Sequence, residues 1–235
     1  MADFYSVVHR LQWILERADE YLSEKGVDCS NAHTMLDYVN LICEVPNDIV
    51  HVRNGRELFL NNIHLEKFPE LIDCGSFTSC YKMCYGCTCL ETVPWLNTHN
   101  VTDFIYAFYG CTNLAYIEHI DTSAATSVGE MFHGCKSLVT IDSPLDFSNV
   151  TSQCDTTFTT CSALQNLTFE GTINVDIWIN GCTKLTVASL LSVLNALADL
   201  TGTGLSRKIT LGSRNTAKLT AEQLAIATDK GWTLG

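Results

Sequence analysis

Four cysteines, Cys80, Cys84, Cys87 and Cys89, fall within ten residues, and Cys74 lies just upstream. Such a cluster suggests metal binding or thiol–disulfide chemistry. A structural zinc site takes four tetrahedral donors, usually as close pairs set apart along the chain. Here the gaps hold three, two and one residues, in one run. The seven histidines, His9, His33, His51, His64, His99, His119 and His133, form no H-E-x-x-H arrangement. His119 and His133, with Asp121 and Glu130 nearby in sequence, are the best remaining candidates for a hydrolytic or metal site. They lack an activated nucleophile and a third good ligand. Gly202-Thr203-Gly204 reads as a turn, not a phosphate cradle. The sequence therefore leads to an expectation of no catalytic residues, no metal and no cofactor.

The cysteines have a better explanation in spacing. Tags recur as GCTCLETV (86–93), GCTNLAYI (110–117) and GCKSLVTI (134–141), with looser copies TCSALQNL (160–167) and GCTKLTV (181–187). Their cysteines, Cys87, Cys111, Cys135, Cys161 and Cys182, step by 24, 24, 26 and 21 residues. Upstream positions repeat too. Met83, Ala107, Met131 and Thr157 stand four before the cysteine, and Cys84, Phe108, Phe132 and Phe158 three before it. Cys80, Phe104, Val128 and Cys154 stand seven before it, and Thr78, Thr102, Thr126 and Ser152 nine before it. Cys80, Cys84 and Cys87 thereby become core positions, filled by a small apolar group. Of the cysteines at 74–89, only Cys74 and Cys89 fall outside the set, which leaves a disulfide open at either.

A unit of about 24 residues is too short for a core of its own and must stack on neighbours. Leu90–Val93 and its equivalents alternate as one short strand per coil requires. Leu90, Leu114, Leu138, Leu164 and Leu185 should point inward, with Val93, Ile117, Ile141 and Leu167. The Met/Phe pair suits a short helix or helical turn on the opposite side, and the glycine of each tag a tight return to the strand. The NVT triplets at 100–102 and 149–151 read as turns in which Asn and Thr bond locally to the backbone. The third sequon, at Asn166, carries no further reading. Period and pattern match a leucine-rich repeat.

The tag resembles the BspA-like leucine-rich repeats of bacterial and protist surface proteins. Their unit has an aromatic, a Gly-Cys pair, then Ser/Thr-x-Leu-x-x-Ile; Ile120–Ile141 carries it almost in full. The resemblance covers about residues 65–187 and extends to forms found in gut bacterial and phage or prophage proteins. It implies an α/β solenoid of about five to six coils, with binding rather than catalysis as its use. The copy at 143–167 departs from it, with Thr160 in place of the glycine.

The expected organisation is a helical segment over 1–46, a solenoid over 47–187 and a small α/β cap over 188–235. Residues 4–22 and about 31–43 read as amphipathic helices serving as cap, anchor or oligomerisation element. Asn54-Gly55 signals a two-residue hairpin. Ser189–Leu200 reads as an apolar helix and Lys208–Leu211 as a strand. Thr220–Gln223 opens a capped helix, and Trp232–Leu234 returns as a strand.

Of 235 residues, 46% are hydrophobic, enough for a sizeable core. The formal charge of -12, with no basic run, argues against nucleic acid and anionic membrane as partners. No stretch has the ~18 apolar residues of a membrane span. The N-terminus lacks a basic n-region, so the expectation is a virion or cytoplasmic location, with the cell surface as the alternative. Outward or loop positions include Glu91, Thr92, Trp95, Tyr106, Tyr109, Tyr116, Glu118, His119, His133, Thr140, Asp142 and Phe147. Aromatics among carboxylates suit a protein or glycan partner. The binding surface is therefore expected at Trp95, Tyr106, Tyr109, Tyr116, Glu118, His119 and His133, with assembly into a particle or homo-oligomer as a further expectation.

Overall fold

In the computed structural model, residues 54–69, 72, 74–152 and 154–235 are described. The expected helices at 4–22 and 31–43, and the first arm of the expected hairpin, lie outside them. Nearly all described residues belong to one compact unit, Val52–Phe68 with Cys74–Gly235.

The strands are short and parallel. β1 (Thr92–Leu96), β2 (Tyr116–Ile120) and β3 (Thr140–Ile141) form one sheet in sequence order. Thr92 pairs with Tyr116 and Tyr116 with Thr140, so each strand meets the equivalent residue 24 positions on. β4 (Leu145–Asp146) pairs with β5 (Phe169–Glu170), and β6 (Ile177–Trp178) with β7 (Lys208–Thr210) and β8 (Thr233–Leu234). The first strand begins at Thr92, not Leu90, because Leu90 N–H closes a turn onto the Cys87 carbonyl.

The Met/Phe segments form successive tight turns rather than a helix. The N–H groups of Cys80, Lys82, Cys84 and Gly86 donate forward to the carbonyls of Asp103, Ile105, Ala107 and Tyr109. Those of Met83, Tyr85 and Cys87 turn back to Cys80, Lys82 and Cys84. The pattern repeats from Phe104, Tyr106, Phe108 and Gly110 to Ser127, Gly129, Met131 and His133. Backbone groups that a helix would satisfy internally are satisfied between units. This accounts for Asn54-Gly55 as well. Gly55 lacks the positive φ that a type I′ turn demands. Residues 56–61 are turns whose Glu57, Phe59 and Asn61 N–H groups donate to Tyr81, Met83 and Tyr85.

The core lies between strands and turns. Leu90, Leu114, Leu138, Leu164 and Leu185 are buried, as are Val93, Ile117, Ile141 and Leu167. Phe108, Phe132 and Phe158 stack face to face, each ring 5.8 Å from the next. Each tag cysteine is more than an apolar filler, because its S–H donates to a carbonyl of the preceding unit. Cys87 reaches Phe59, Cys111 Cys84, Cys135 Phe108, Cys161 Phe132 and Cys182 Phe158, at 2.9–3.4 Å. Hydroxyls add a second set of rungs. Thr102, Thr126 and Ser152 donate to the carbonyls of Thr78, Thr102 and Thr126. Asn100 and Asn149 reach Gly75 and Ser123. The NVT asparagines thus reach carbonyls of the preceding unit, while the Val101 and Val150 N–H groups close local turns onto Thr98 and Phe147.

The residue where the turn passes into each of the first four tags is left-handed. Gly86, Gly110 and Gly134 have φ of 72°, 71° and 80°, and Thr160 holds the same position at φ 62°. A β-branched residue is strained there. Thr160→Gly should raise stability by about 1 kcal/mol, the left-handed penalty less the extra chain entropy of glycine. A urea melt checks it, and a lower midpoint than wild type would contradict the assigned strain.

At the C-terminal end, α1 (Val187–Ala196) starts at its N-cap Thr186, which accepts from Ser189 N–H. It ends four residues before the expected Leu200, because Leu197 leaves the helix to bridge Ile173 in parallel. Lys230 Nζ then donates to the carbonyls of Leu194, Asn195 and Leu197 at 2.6–3.3 Å, capping the helix's negative end. α2 (Ser213–Thr216) is one turn, and its buried Asn215 Nδ2 donates to Ile179, Cys182 and Leu211 carbonyls. α3 (Ala221–Asp229) carries the Thr220/Gln223 capping box. Among the described residues no helix is long and apolar enough to cross a membrane.

Candidate binding surface

The strand segments carry one column of rings. Trp95 and His119 are register partners on β1 and β2. Their rings stack 5.3 Å apart and 7° from parallel. Trp95 is 56% exposed, although its neighbour Leu96 is buried. On the same strands, Tyr116 Oη donates to Asp142 Oδ2 at 2.5 Å, and that carboxylate holds the phenol above its ordinary range. Glu118 is exposed between them. Asp121 is partly desolvated, yet donation from Ser123 and the nearby His119 and His99 keep its carboxyl below the usual range.

The turn segments carry a second column, Tyr85–Tyr109–His133. Its centroids are 4.7 and 4.8 Å apart and its rings tilt by 4° and 27°. Tyr106 meets Tyr81, Tyr85 and Tyr109 edge-on. Lys82 Nζ sits over Tyr81, Tyr85 and Tyr106, and the Arg56 guanidinium over Tyr81 at 4.6 Å. Arg56 Nη1 also lies 3.6 Å from Asp103 Oδ2. His133 Nδ1 is 3.3 Å from Glu130 Oε2 but has no hydrogen-bond partner. The Glu130 carboxylate, with partial desolvation, holds Tyr106 above the ordinary phenol range.

The seven expected residues thus divide. Tyr106, Tyr109 and His133 come together on the turns, while Trp95, Tyr116, Glu118 and His119 lie on the strands. His119 and His133, considered together from sequence, stack on different partners in different columns. Phe147, expected outward, is fully buried against Phe169 at 5.0 Å. Missing from the sequence reading were Tyr81, Lys82, Tyr85 and Arg56. Tyr85 was findable, since it precedes Gly-Cys as Tyr109 and His133 do.

The clustered cysteines are placed for packing. Cys80, Cys84 and Cys87 are fully buried, and among the described residues no two cysteines are joined by a disulfide. Burial pushes the Cys80 and Cys84 thiols well up, with neighbouring cysteines adding to it. They are poor nucleophiles, because the thiolate is the reactive form. Among the described residues no group of three or more His, Cys, Asp or Glu side chains is set to hold a metal. A cleft of about 210 Å³ lies beside Cys154. Two of its lining atoms, Asp155 Oδ1 and Arg207 Nε, are buried without a hydrogen-bond partner. Such atoms call for ordered water.

No protein-family profile, curated protein or solved structure matches the chain.

Proposed function

We propose that this chain is a non-catalytic interaction protein, a BspA-like leucine-rich repeat solenoid carried as a component of a phage or prophage virion. The observation that carries the binding reading is the pair of ring columns, held in register by units 24 residues apart. Within each column, stacked units turn single aromatic positions into a continuous contact surface. Rings anchor a partner at low entropic cost, and carboxylates such as Glu118 and Asp142 give it polar definition. The partner is a protein or a glycan on the host. The particle reading rests on the repeat type, because the tag resembles forms carried by gut phages and their hosts. An adhesin-like or intracellular protein-binding module is the second reading.

The test uses particles banded from the organism that encodes the chain. Mass spectrometry should find the chain in them, and its absence would favour the second reading. Particles carrying alanine at Trp95, Tyr109, Tyr116 and His119 should assemble normally and adsorb to host cells at least about tenfold less, about 1.4 kcal/mol of lost contact. Unchanged adsorption would sink the assigned surface.

A further inference from the structure

We propose that Tyr81, Tyr85 and Tyr106 form an aromatic cage for a quaternary ammonium group, filled by the chain's own Lys82 when no ligand is present. Lys82 Nζ lies 5.2, 5.5 and 5.7 Å from the centroids of these rings. All three distances are within the ~6 Å over which a ring face attracts a cation. Tyr81 and Tyr85 each stand nearly perpendicular to Tyr106, at 80° and 75°, so the rings form walls rather than a flat stack. The three rings and Lys82 are half-buried, with Tyr109 stacked on Tyr85 and Arg56 over Tyr81.

The repeat explains how it is built. Lys82, Tyr106 and Glu130 share one register position in three successive units, all at positive φ of 54–59°. That conformation sets a cation, a ring and an anion in a row along the stack. Glu130 sits beside Tyr106 and adds negative potential. The chain's charge of -12 favours approach of a cation from solution. Lys82 is a weak occupant. Its ammonium is compact and strongly hydrated, on a flexible four-carbon stem. A quaternary ammonium spreads its charge over methyl groups, gives up less hydration and fills three walls better. The site does not depend on the particle reading, since its probe is a small cation and its readout is direct.

Tetramethylammonium chloride, titrated against the intact chain at constant ionic strength, is followed by tyrosine ring signals in NMR. Saturable shifts should appear at Tyr81, Tyr85 and Tyr106. Lys82→Ala should tighten binding about tenfold, as expected if the lysine occupies the cage nine-tenths of the time. Adding Tyr106→Leu, or separately Tyr85→Leu, to Lys82→Ala should abolish saturation, while far-UV circular dichroism reports an intact fold. No saturable shift in Lys82→Ala overturns the proposal. So does equal affinity in Lys82→Ala and wild type, or undiminished binding without a wall. A trimethyllysine peptide and phosphatidylcholine vesicles, each competed against the probe, then separate a protein source from a lipid one. Failure of both to displace it also overturns the proposal.

Discussion

Raising the pH from about 7.5 to about 9.5, with reductant present, should lower the protein's stability. Six thiols, Cys80, Cys84, Cys111, Cys135, Cys154 and Cys161, are held above their ordinary range, chiefly by burial and, at Cys161, first by its contact with Cys182. In the unfolded chain each ionises near pH 8.5. The folded pKa is raised, so this contribution is fully present below about pH 8.5 and is lost as pH climbs toward the folded value. A thiol that stays protonated inside the fold costs at most about 1.4 kcal/mol per pH unit above that point. The six thiols act in the same direction, so the urea midpoint should fall progressively across this window. Urea midpoints across this range measure it. Cys135→Ala should weaken the fold at neutral pH and flatten the pH slope by one thiol's share. A midpoint that does not move between about pH 8 and about pH 9.5 would show that the thiols do not stay protonated inside the fold.

Phe132→Ala should lower stability by about 3–5 kcal/mol. The ring is fully buried and is stacked on both sides, against Phe108 and Phe158. The same residue's carbonyl accepts the Cys135 N–H and the Cys161 thiol, so a shift of its backbone reaches two units. Stacked units couple to their nearest neighbours. Amide exchange should therefore quicken most in 104–111 and 157–161, with less change in α1 and β7. Phe132→Leu should restore most of the loss. A cost below about 1 kcal/mol would mean that the column is not packed on both faces.

Both predictions rest on positions the sequence names and on contacts it does not. The 24-residue step, the inward leucines and the buried cysteines are legible because burial leaves a periodic apolar trace. The Thr220 capping box and the strands β7 and β8 are legible because they rest on local chemistry and short-range pattern. Glu57, Lys82, Tyr106 and Glu130 are not glycines, so nothing in their types announces a left-handed backbone. That backbone turns the Met/Phe segments into turns and sends alternate N–H groups into the next unit. The Leu197 bridge to Ile173 likewise overrides good helical propensity.

The cysteine cluster that first suggests metal or redox chemistry illustrates the division. Spacing alone assigns Cys80, Cys84 and Cys87 to a repeated interior. Only the fold sets each tag thiol against a carbonyl 24 to 29 residues earlier. The ring columns divide in the same way. Sequence shows that aromatics recur, while stacking separates Trp95–His119 from Tyr85–Tyr109–His133 and places Lys82 among three rings. Residue type and period determine what is buried, because burial depends on apolar area. Which groups meet depends on directions of N–H, S–H and ring planes, and these are set only when one unit lies against the next.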